Sequence, residues 1–264
     1  MINPLKTFAI LLPMLFSSGC TSKIDRTLST PSDTPWVEVE IKNPSPYTKP
    51  FPLEVVYISH KCMKSSINGV EGSREEKPSY NGVKVPLLQQ GNSNDWHAKV
   101  AMKGGGSCEW TLSEFNLGIE YTDATHLGKD LIPGTAVGAT IAFYKIANQT
   151  GNLLYGSANK LLYKPKLYPL IKRWSKTKGA SQPDKLYLFG KEDSFKTFYF
   201  DPNPNKESVV VFHPSIDERK IVELSFPDDK KVNPMFKITY SNGDVVMTKQ
   251  PKPDFNKNDS INEK

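Results

Sequence analysis

The side chains best suited to metal binding, redox chemistry or base catalysis in this chain are its three cysteines and four histidines. His60 and Cys62 stand two positions apart in an apolar, strand-like segment, so both would project from the same face. Together with His97 and Cys108 they could form a Cys2His2 zinc site. The spacing signatures of such sites are absent from the sequence. A disulfide between Cys62 and Cys108 and a pair of free thiols are the alternatives.

The N-terminal residues have the pattern of a bacterial export signal. Lys6 supplies one positive charge, the run from Phe8 to Phe16 is apolar, and the small residues 17–19 follow. The apolar run is far shorter than the roughly 20 residues that a membrane-spanning helix needs. Signals of this kind are removed after export. We therefore predict that residues 1–19 form a signal peptide.

Cys20 directly follows the small residues, and this arrangement resembles the lipobox of bacterial lipoproteins, in which the cysteine is acylated. Ser17 stands where that motif usually has leucine, so an ordinary signal with an incidental cysteine is the alternative. Acyl chains on Cys20 would hold the mature chain to a bilayer, at roughly 0.8 kcal/mol per buried methylene. Because Thr21 and Ser22 follow instead of aspartate, we expect a periplasmic protein that is lipid-anchored at the outer membrane.

That compartment bears on the cysteine assignment. If Cys20 is acylated, two cysteines remain, and exported proteins in an oxidising space tend to pair their thiols. A bridge between Cys62 and Cys108 would close a loop of about 47 residues, for which chain entropy predicts roughly 4 kcal/mol of stabilisation. We therefore favour the disulfide over the zinc site and over free thiols, and we expect no metal and no cofactor.

The remaining candidate motifs for catalysis are incomplete. The string GGGSC at 104–108 matches neither a phosphate-binding loop nor a nucleophile elbow, and we interpret it as a bulge or tight corner before a strand. Residues 201–212 begin like a calcium loop, but Lys206 and Phe212 replace the required glycine and carboxylate. Each of the four histidines could serve as a base, but no local signature marks any serine as a nucleophile. We therefore expect a binding or structural protein that has no small-molecule substrate and is not an enzyme.

Composition and periodicity predict an all-β fold. The chain has 21 prolines and 17 glycines, which indicates many turns, and segments such as WVEVEIK (36–42) alternate apolar and charged residues. We expect an antiparallel, sandwich-like domain over residues 36–150 and a second antiparallel β-meander over 181–250. Between them, the connector 151–180 is expected to contain a short helix near residues 170–176.

Three further segments are expected to lack regular packing. Residues 20–35 are polar and turn-rich, which is typical of a tether between the lipid and the folded part. Residues 63–94 contain two Asn-Gly pairs and are interpreted as a long exposed excursion with one short strand. Residues 251–264 are polar and are expected to form a disordered tail.

The connector is strongly basic. Between Lys160 and Lys178 it contains no acidic residue, and aromatic side chains alternate with the basic ones. This composition suits an anionic partner, either an acidic protein face or lipid headgroups; the alternative is a solvated linker. The chain's formal charge of +6 is modest, and we expect no nucleic-acid partner. The candidate contact residues are Lys164, Lys166, Lys172, Arg173 and Trp174.

Three stretches carry a resemblance to a known group of proteins. VYISHKC (56–62), KVAMKGGGSCEWTLSEFNLGIEYTD (99–123) and KLYLFGKEDSFKTFYFDP (185–202) resemble uncharacterised enterobacterial lipoproteins. Such lipoproteins are often encoded beside type VI secretion effectors, particularly lipases, and are regarded as candidate immunity proteins. The resemblance implies an inhibitor that binds a cognate toxin, and we name residues 63–94 and the basic connector as its candidate contact regions. A structural or assembly lipoprotein of the envelope is the alternative.

Overall fold

The computed structural model describes residues 23–143, 154–155, 159–174, 182–191, 195–203, 206–227 and 235–261. The described residues are mostly β-strand, so the predicted all-β class is confirmed. The helices within the described ranges are the 3₁₀-helix Thr125–Leu127 and the short helix α1 (Phe255–Asp259). In chain order the strands are β1 (Trp36–Lys42), β2 (Thr48–Pro50), β3 (Leu53–Ile67), β4 (Arg74–Val85), β5 (Leu88–Gln89), β6 (Asp95–Ala101), β7 (Lys103–Gly105), β8 (Trp110–Tyr121), β9 (Ile132–Pro133), β10 (Val137–Ala142), β11 (Leu154–Tyr155), β12 (Lys160–Tyr163), β13 (Lys166–Arg173), β14 (Lys185–Gly190), β15 (Phe195–Tyr199), β16 (Ser208–Phe212), β17 (Ser215–Ile216), β18 (Val222–Ser225), β19 (Phe236–Thr239) and β20 (Val245–Thr248).

These strands form three sheets. The first sheet has the order β12-β16-β1-β6-β5, and the second has β11-β15-β10-β8-β3-β4, with β2 and β7 also paired to β8. The third sheet has the order β20-β19-β18-β13-β14-β9, with β17 also paired to β13. Side chains of the first and second sheets share one hydrophobic core, which makes this part of the molecule sandwich-like.

The alternation of WVEVEIK explains how β1 contributes to that core. Val37, Val39 and Ile41 are buried, whereas Glu38 and Glu40 point away from the core. Strands β6 and β16 flank β1, the former antiparallel and the latter parallel. The predicted strand is therefore confirmed, and its period of two places one apolar face against the second sheet.

The sheets do not follow the predicted division of the chain into 36–150 and 181–250. Strands β12, β15 and β16 come after residue 150, yet they complete the first two sheets. Conversely, β9 precedes residue 150 and pairs with β14 in the third sheet. Parallel pairs such as β1–β16 and β13–β18 also make the sheets mixed. The two predicted β regions are thus interleaved, because each supplies strands to the other's sheets.

The short helix predicted near residues 170–176 is wrong, because β13 occupies most of that segment. Every residue from Leu167 to Ile171 is buried, which indicates a central strand covered on both faces. Pro169 lies between the residues paired with β17 and those paired with β18, where the ladder tolerates a residue without an N–H. The part of the basic connector that the structure describes therefore supplies strands to all three sheets.

The tether predicted over residues 20–35 is wrong for the residues that the structure describes. Ile24 and Leu28 pack against the sandwich core, and Ser29 N donates to the Gly104 carbonyl oxygen at 2.9 Å. A Cβ at Gly105 would overlap the Ser29 carbonyl oxygen. The glycines of the predicted corner at GGGSC therefore leave room for the N-terminal segment to pack against the strand.

The tail predicted to be disordered over residues 251–264 contains α1 instead. The Asp254 side chain caps the helix by accepting a hydrogen bond from Lys257 N at 3.1 Å. Asn258 is fully buried and donates to the Lys220 carbonyl oxygen at 3.2 Å. The ring of Phe255 packs against Tyr168 of β13. These contacts join the C-terminal segment to the third sheet, and its polar composition gives no indication of them.

Candidate functional site

The hairpin of β3 and β4 continues beyond the edge of the second sheet. Strand β3 pairs with β8 only over Glu54–Ile58, whereas Met63–Ile67 pairs with β4 alone among the described strands. We call residues 60–78 the arm. Residues 60–62 bulge out of the ladder, because Ser59 pairs with Ser79 and Met63 already pairs with Pro78. The arm therefore lengthens only by the five residue steps of β4 between Ser79 and Arg74, about 17 Å at roughly 3.3 Å per residue. The predicted excursion 63–94 therefore contains an ordered two-stranded projection in place of one short strand.

The predicted disulfide between Cys62 and Cys108 is confirmed, and it fixes the root of the arm. The two Cα atoms are 5.3 Å apart, within the usual range for this bond. Lys61 Nζ lies 2.6 Å from Glu109 Oε1 across the same junction. Ser59 Oγ donates to the Cys108 carbonyl oxygen at 2.6 Å and accepts from Cys62 N at 2.9 Å. An isolated two-stranded hairpin is marginally stable in water, so these contacts hold the arm in one position.

The tip of the arm is an ordered turn that exposes aliphatic side chains. Asn68 N donates to the Ser73 carbonyl oxygen and Gly72 N to the Asn68 carbonyl oxygen, both at 2.8 Å. The Asn68 side-chain oxygen accepts from Val70 N at 3.0 Å. Val70 is 95% exposed and Ile67 is 70% exposed. The tip therefore presents two aliphatic groups to solvent on a backbone that is already ordered.

The pairing register gives the two faces of the arm different chemistry. Met63 pairs with Pro78, and Ile67 pairs with Arg74, on one face. Lys64 pairs with Lys77 on the opposite face, because successive side chains of a strand alternate. The Ser65–Glu76 pair lies between them on the first face, so apolar side chains stand at the root and at the tip of that face, and both faces carry charge along the middle of the arm.

Three of the predicted contact residues are engaged inside the protein. Arg173 forms a bidentate pair with Glu223, at 2.9 and 2.7 Å, and also donates to Asp184 at 3.1 Å. The Arg173 hydrogen bonds hold the pKa of the Glu223 carboxyl below its usual value. Trp174 stacks on Phe226, with ring centroids 4.1 Å apart.

Lys172 is the third of these residues. Its ammonium lies over the ring of Tyr187, 4.3 Å from the centroid, and burial lowers the pKa of Lys172. A partner would have to compete with these intramolecular contacts to reach Lys172, Arg173 or Trp174.

The other two predicted contacts lie toward the opposite end of β13. Lys166 Nζ is 2.6 Å from Asp259 Oδ1 of α1, and Tyr168 donates a short hydrogen bond to the same oxygen. Lys164 is exposed. At roughly 3.3 Å per residue, Lys166 and Lys172 are about 20 Å apart along the strand. The five basic-segment residues are thus divided between two places and do not form one surface.

A histidine does come close to a serine and a carboxylate, but in the wrong order for a triad. The His126 ring stacks on Tyr47 at 3.6 Å, and its Nε2 lies 3.3 Å from Glu218 Oε1. Ser45 Oγ donates to the same Glu218 oxygen at 3.5 Å. In a hydrolytic triad the imidazole lies between the other two groups, whereas here the carboxylate does. Burial is the main cause that raises the pKa of Tyr121, and the nearby Glu218 carboxylate raises it further. The Tyr121 hydroxyl also donates a hydrogen bond to Glu218.

The remaining candidate sites are the lipid anchor, the zinc site and any membrane-spanning helix. Cys20 and the predicted signal peptide over residues 1–19 lie outside the described residues. Within the described ranges, no group of three His, Cys, Asp or Glu residues is arranged to hold a metal ion, and Cys62 and Cys108 are bonded to each other. The described helices include none that is long and apolar enough to cross a membrane. Ile67 and Val70 were not singled out from the sequence, although the Asn68-Gly69 turn signal marked their position.

Comparison with known proteins adds no relative from which a role could be transferred. No protein-family model, curated protein or solved structure matches the chain. The anchored arm is therefore the candidate functional site on the strength of its own geometry.

Proposed function

We propose that this protein is a periplasmic lipoprotein that binds and neutralises a cognate secreted toxin, of the type VI lipase effector class that the sequence resemblance implies. The observation that supports the proposal is the arm, which is covalently anchored at Cys62 and ends in the exposed side chains of Ile67 and Val70. The arm is the part that contacts the toxin. The acylated Cys20 holds the protein where the toxin is delivered.

The arm suits insertion into a cleft for energetic reasons. Single exposed aliphatic residues are ordinary on protein surfaces, but those of the arm stand on a projection about 17 Å long. The disulfide and the Lys61–Glu109 ion pair order this projection before binding. A preorganised segment loses less conformational entropy on association than a flexible loop. The aliphatic tip requires an apolar pocket in the partner, and the charged pairs along the arm remain at the rim of that pocket.

The acyl anchor adds to the effect of the arm. A protein confined to a bilayer meets a partner at the same bilayer at a raised effective concentration. Replacing Cys20 with alanine is therefore expected to release the protein from membranes, as measured by fractionation. Persistent membrane attachment of the Cys20→Ala protein would overturn the lipid anchor.

The function is tested by co-purification of the protein with the products of adjacent genes, followed by rescue of cells that express such a product in the periplasm. The variant Ile67→Ser should weaken the complex about thirtyfold, the effect of losing roughly 2 kcal/mol at a hot spot. Leu88→Ser is the matched control, because Leu88 is also 70% exposed but lies outside the arm. Equal effects of the two substitutions would contradict a role for the arm.

The same experiment separates the proposal from its alternative. If no adjacent product binds and rescue fails, the neutralising function is abandoned. A growth or permeability defect after deletion of the gene, in cells without any toxin, would indicate a structural or assembly lipoprotein.

A further inference from the structure

The N-terminal segment docks beside the root of the arm. The Asp25 carbonyl oxygen accepts from Trp110 Nε1 at 3.2 Å, and its carboxylate accepts from Ser107 Oγ at 2.7 Å. Ser107 and Trp110 flank Cys108, the cysteine that is bonded to the arm. The Arg26 carbonyl oxygen accepts from Asn81 Nδ2 of β4 at 2.8 Å. Residues 25–26 therefore lie between the disulfide-bearing turn and the strand that forms the second half of the arm.

The chain that separates this docked segment from the lipid-attachment residue is short. Ile24 already packs against the sandwich core. An extended chain spans at most about 3.5 Å per residue, so Cys20 lies within about 14 Å of Ile24, whatever path the chain takes. A lipid on Cys20 would therefore attach at the end of the sandwich from which the arm projects.

From this arrangement we infer that the arm works at the bilayer surface and that the protein it contacts is itself bound to the membrane. The inference rests on the proposed function. It adds that the partner is recognised on the membrane and not in the bulk periplasm, because the acyl anchor holds the root of the arm within a short distance of the headgroups.

The charges of the arm favour a protein over the bilayer itself as its contact. Lys61 of the arm is paired with Glu109. The other basic residues, Lys64, Arg74 and Lys77, are interspersed with Glu71, Glu75 and Glu76, and Lys77 Nζ lies 3.0 Å from Glu75 Oε2. Electrostatic attraction to anionic headgroups requires a cluster of uncompensated basic residues. The mixed charge of the arm instead suits a partner surface that carries both signs.

The position of the arm is tested on the full-length lipoprotein in vesicles of phosphatidylethanolamine and phosphatidylglycerol that contain a nitroxide-labelled headgroup. A fluorophore is attached at Val70→Cys, with the native disulfide kept oxidised. Leu88→Cys is the control, since Leu88 follows the end of β4 that is farther from the arm. We expect at least about twice as much quenching at position 70 as at position 88. Equal quenching at both positions, or stronger quenching at 88, overturns the inference.

Insertion of a flexible spacer after the anchor distinguishes a failure of this inference from a failure of the proposed function. Twenty Gly and Ser residues inserted between Ser22 and Lys23 would add about 25 Å of root-mean-square reach. Protection of cells should then fall at least about fivefold, while the soluble Cys20→Ala form, with or without the spacer, binds the toxin equally well. Undiminished protection by the spacer variant overturns the membrane placement alone. Loss of soluble binding in Ile67→Ser, and not in Leu88→Ser, tests the proposed function without any membrane.

Discussion

The disulfide between Cys62 and Cys108 makes the sharpest stability prediction for this protein. The double substitution Cys62→Ala/Cys108→Ala removes a crosslink between residues that are 46 positions apart. In the chain-entropy account, the crosslink stabilises the folded protein because it restricts the unfolded chain. For a loop of this length the expected loss in the free energy of unfolding is about 4 kcal/mol at 25 °C.

That loss should leave a folded but weakened protein. Single domains typically have net stabilities of roughly 5–15 kcal/mol, so the variant should retain its β-rich circular dichroism at low temperature. The arm should respond separately, because its root loses its covalent anchor. Amide hydrogen exchange of residues 63–67 is expected to accelerate more than that of β1, which lies in the sandwich core.

Urea denaturation, followed by circular dichroism and by fluorescence of the buried Trp110, measures the change. Lys61→Gln is the matched control at the same root, because it removes only the exposed ion pair with Glu109, which is worth at most about 1 kcal/mol. A loss below about 1 kcal/mol for the double variant, or a loss no larger than that of Lys61→Gln, would refute the entropic reasoning.

Two further predictions concern the third sheet. The Arg173 hydrogen bonds lower the pKa of Glu223 from its ordinary value of 4.5. The pair therefore stabilises the folded protein fully above pH 4.5, and this stabilisation is lost as the pH falls through the lowered pKa. Urea titrations across acidic pH should therefore show a shallower decline for Arg173→Met, which is also about 1 kcal/mol less stable at neutral pH because the pair is partly exposed. Deletion of residues 251–264 should cost about 2 kcal/mol, because Phe255 no longer covers Tyr168; an unchanged thermal midpoint would contradict the packing of α1.

The elements that the sequence predicts well are those determined by local chemistry. WVEVEIK has the period of a half-buried strand, and β1 buries the face that its alternation predicts. The Asn-Gly pair at 242–243 also predicts a hairpin, and β19 and β20 do pair across it. A type I′ turn would need positive φ at both residues, whereas Gly243 has a φ of 88° and Asn242 is not in the positive-φ region. The pairing of Cys62 with Cys108 also follows from counting, once Cys20 is assigned to the lipid.

What the sequence does not reveal is determined by distant neighbours. The segment around Leu170 has basic residues at both ends and a proline in the middle, and only its two flanking strands make it a central strand. The N-terminal polar segment gives no signal that Ile24 and Leu28 will pack on the core. Helix α1 had a readable cap at Asp254, but its five residues are too few for hydrophobic periodicity to show.

The site was predictable only in outline. The Asn68-Gly69 pair predicts a turn, and the cysteines predict a crosslink. Neither feature shows that β3 extends beyond the end of its pairing with β8 and continues as a two-stranded hairpin with β4. The basic segment suggested one interaction surface because its charges are contiguous in sequence. The strand geometry of β13 separates those charges, and the Arg173 contacts with Glu223 and Asp184 depend on residues that the segment itself does not contain.

The parallel pairing of β1 with β16 has a consequence for the order in which the protein can fold. Residues 37–41 of β1 pair with residues 208–212, so a newly made chain has no partner for that side of β1 until most of it has left the ribosome. The first 150 residues alone would leave the edge of β1 open, and open edges are prone to pair with other chains. Pairing across such long sequence separations is also slow. Fragments ending near residue 150 are therefore expected to aggregate.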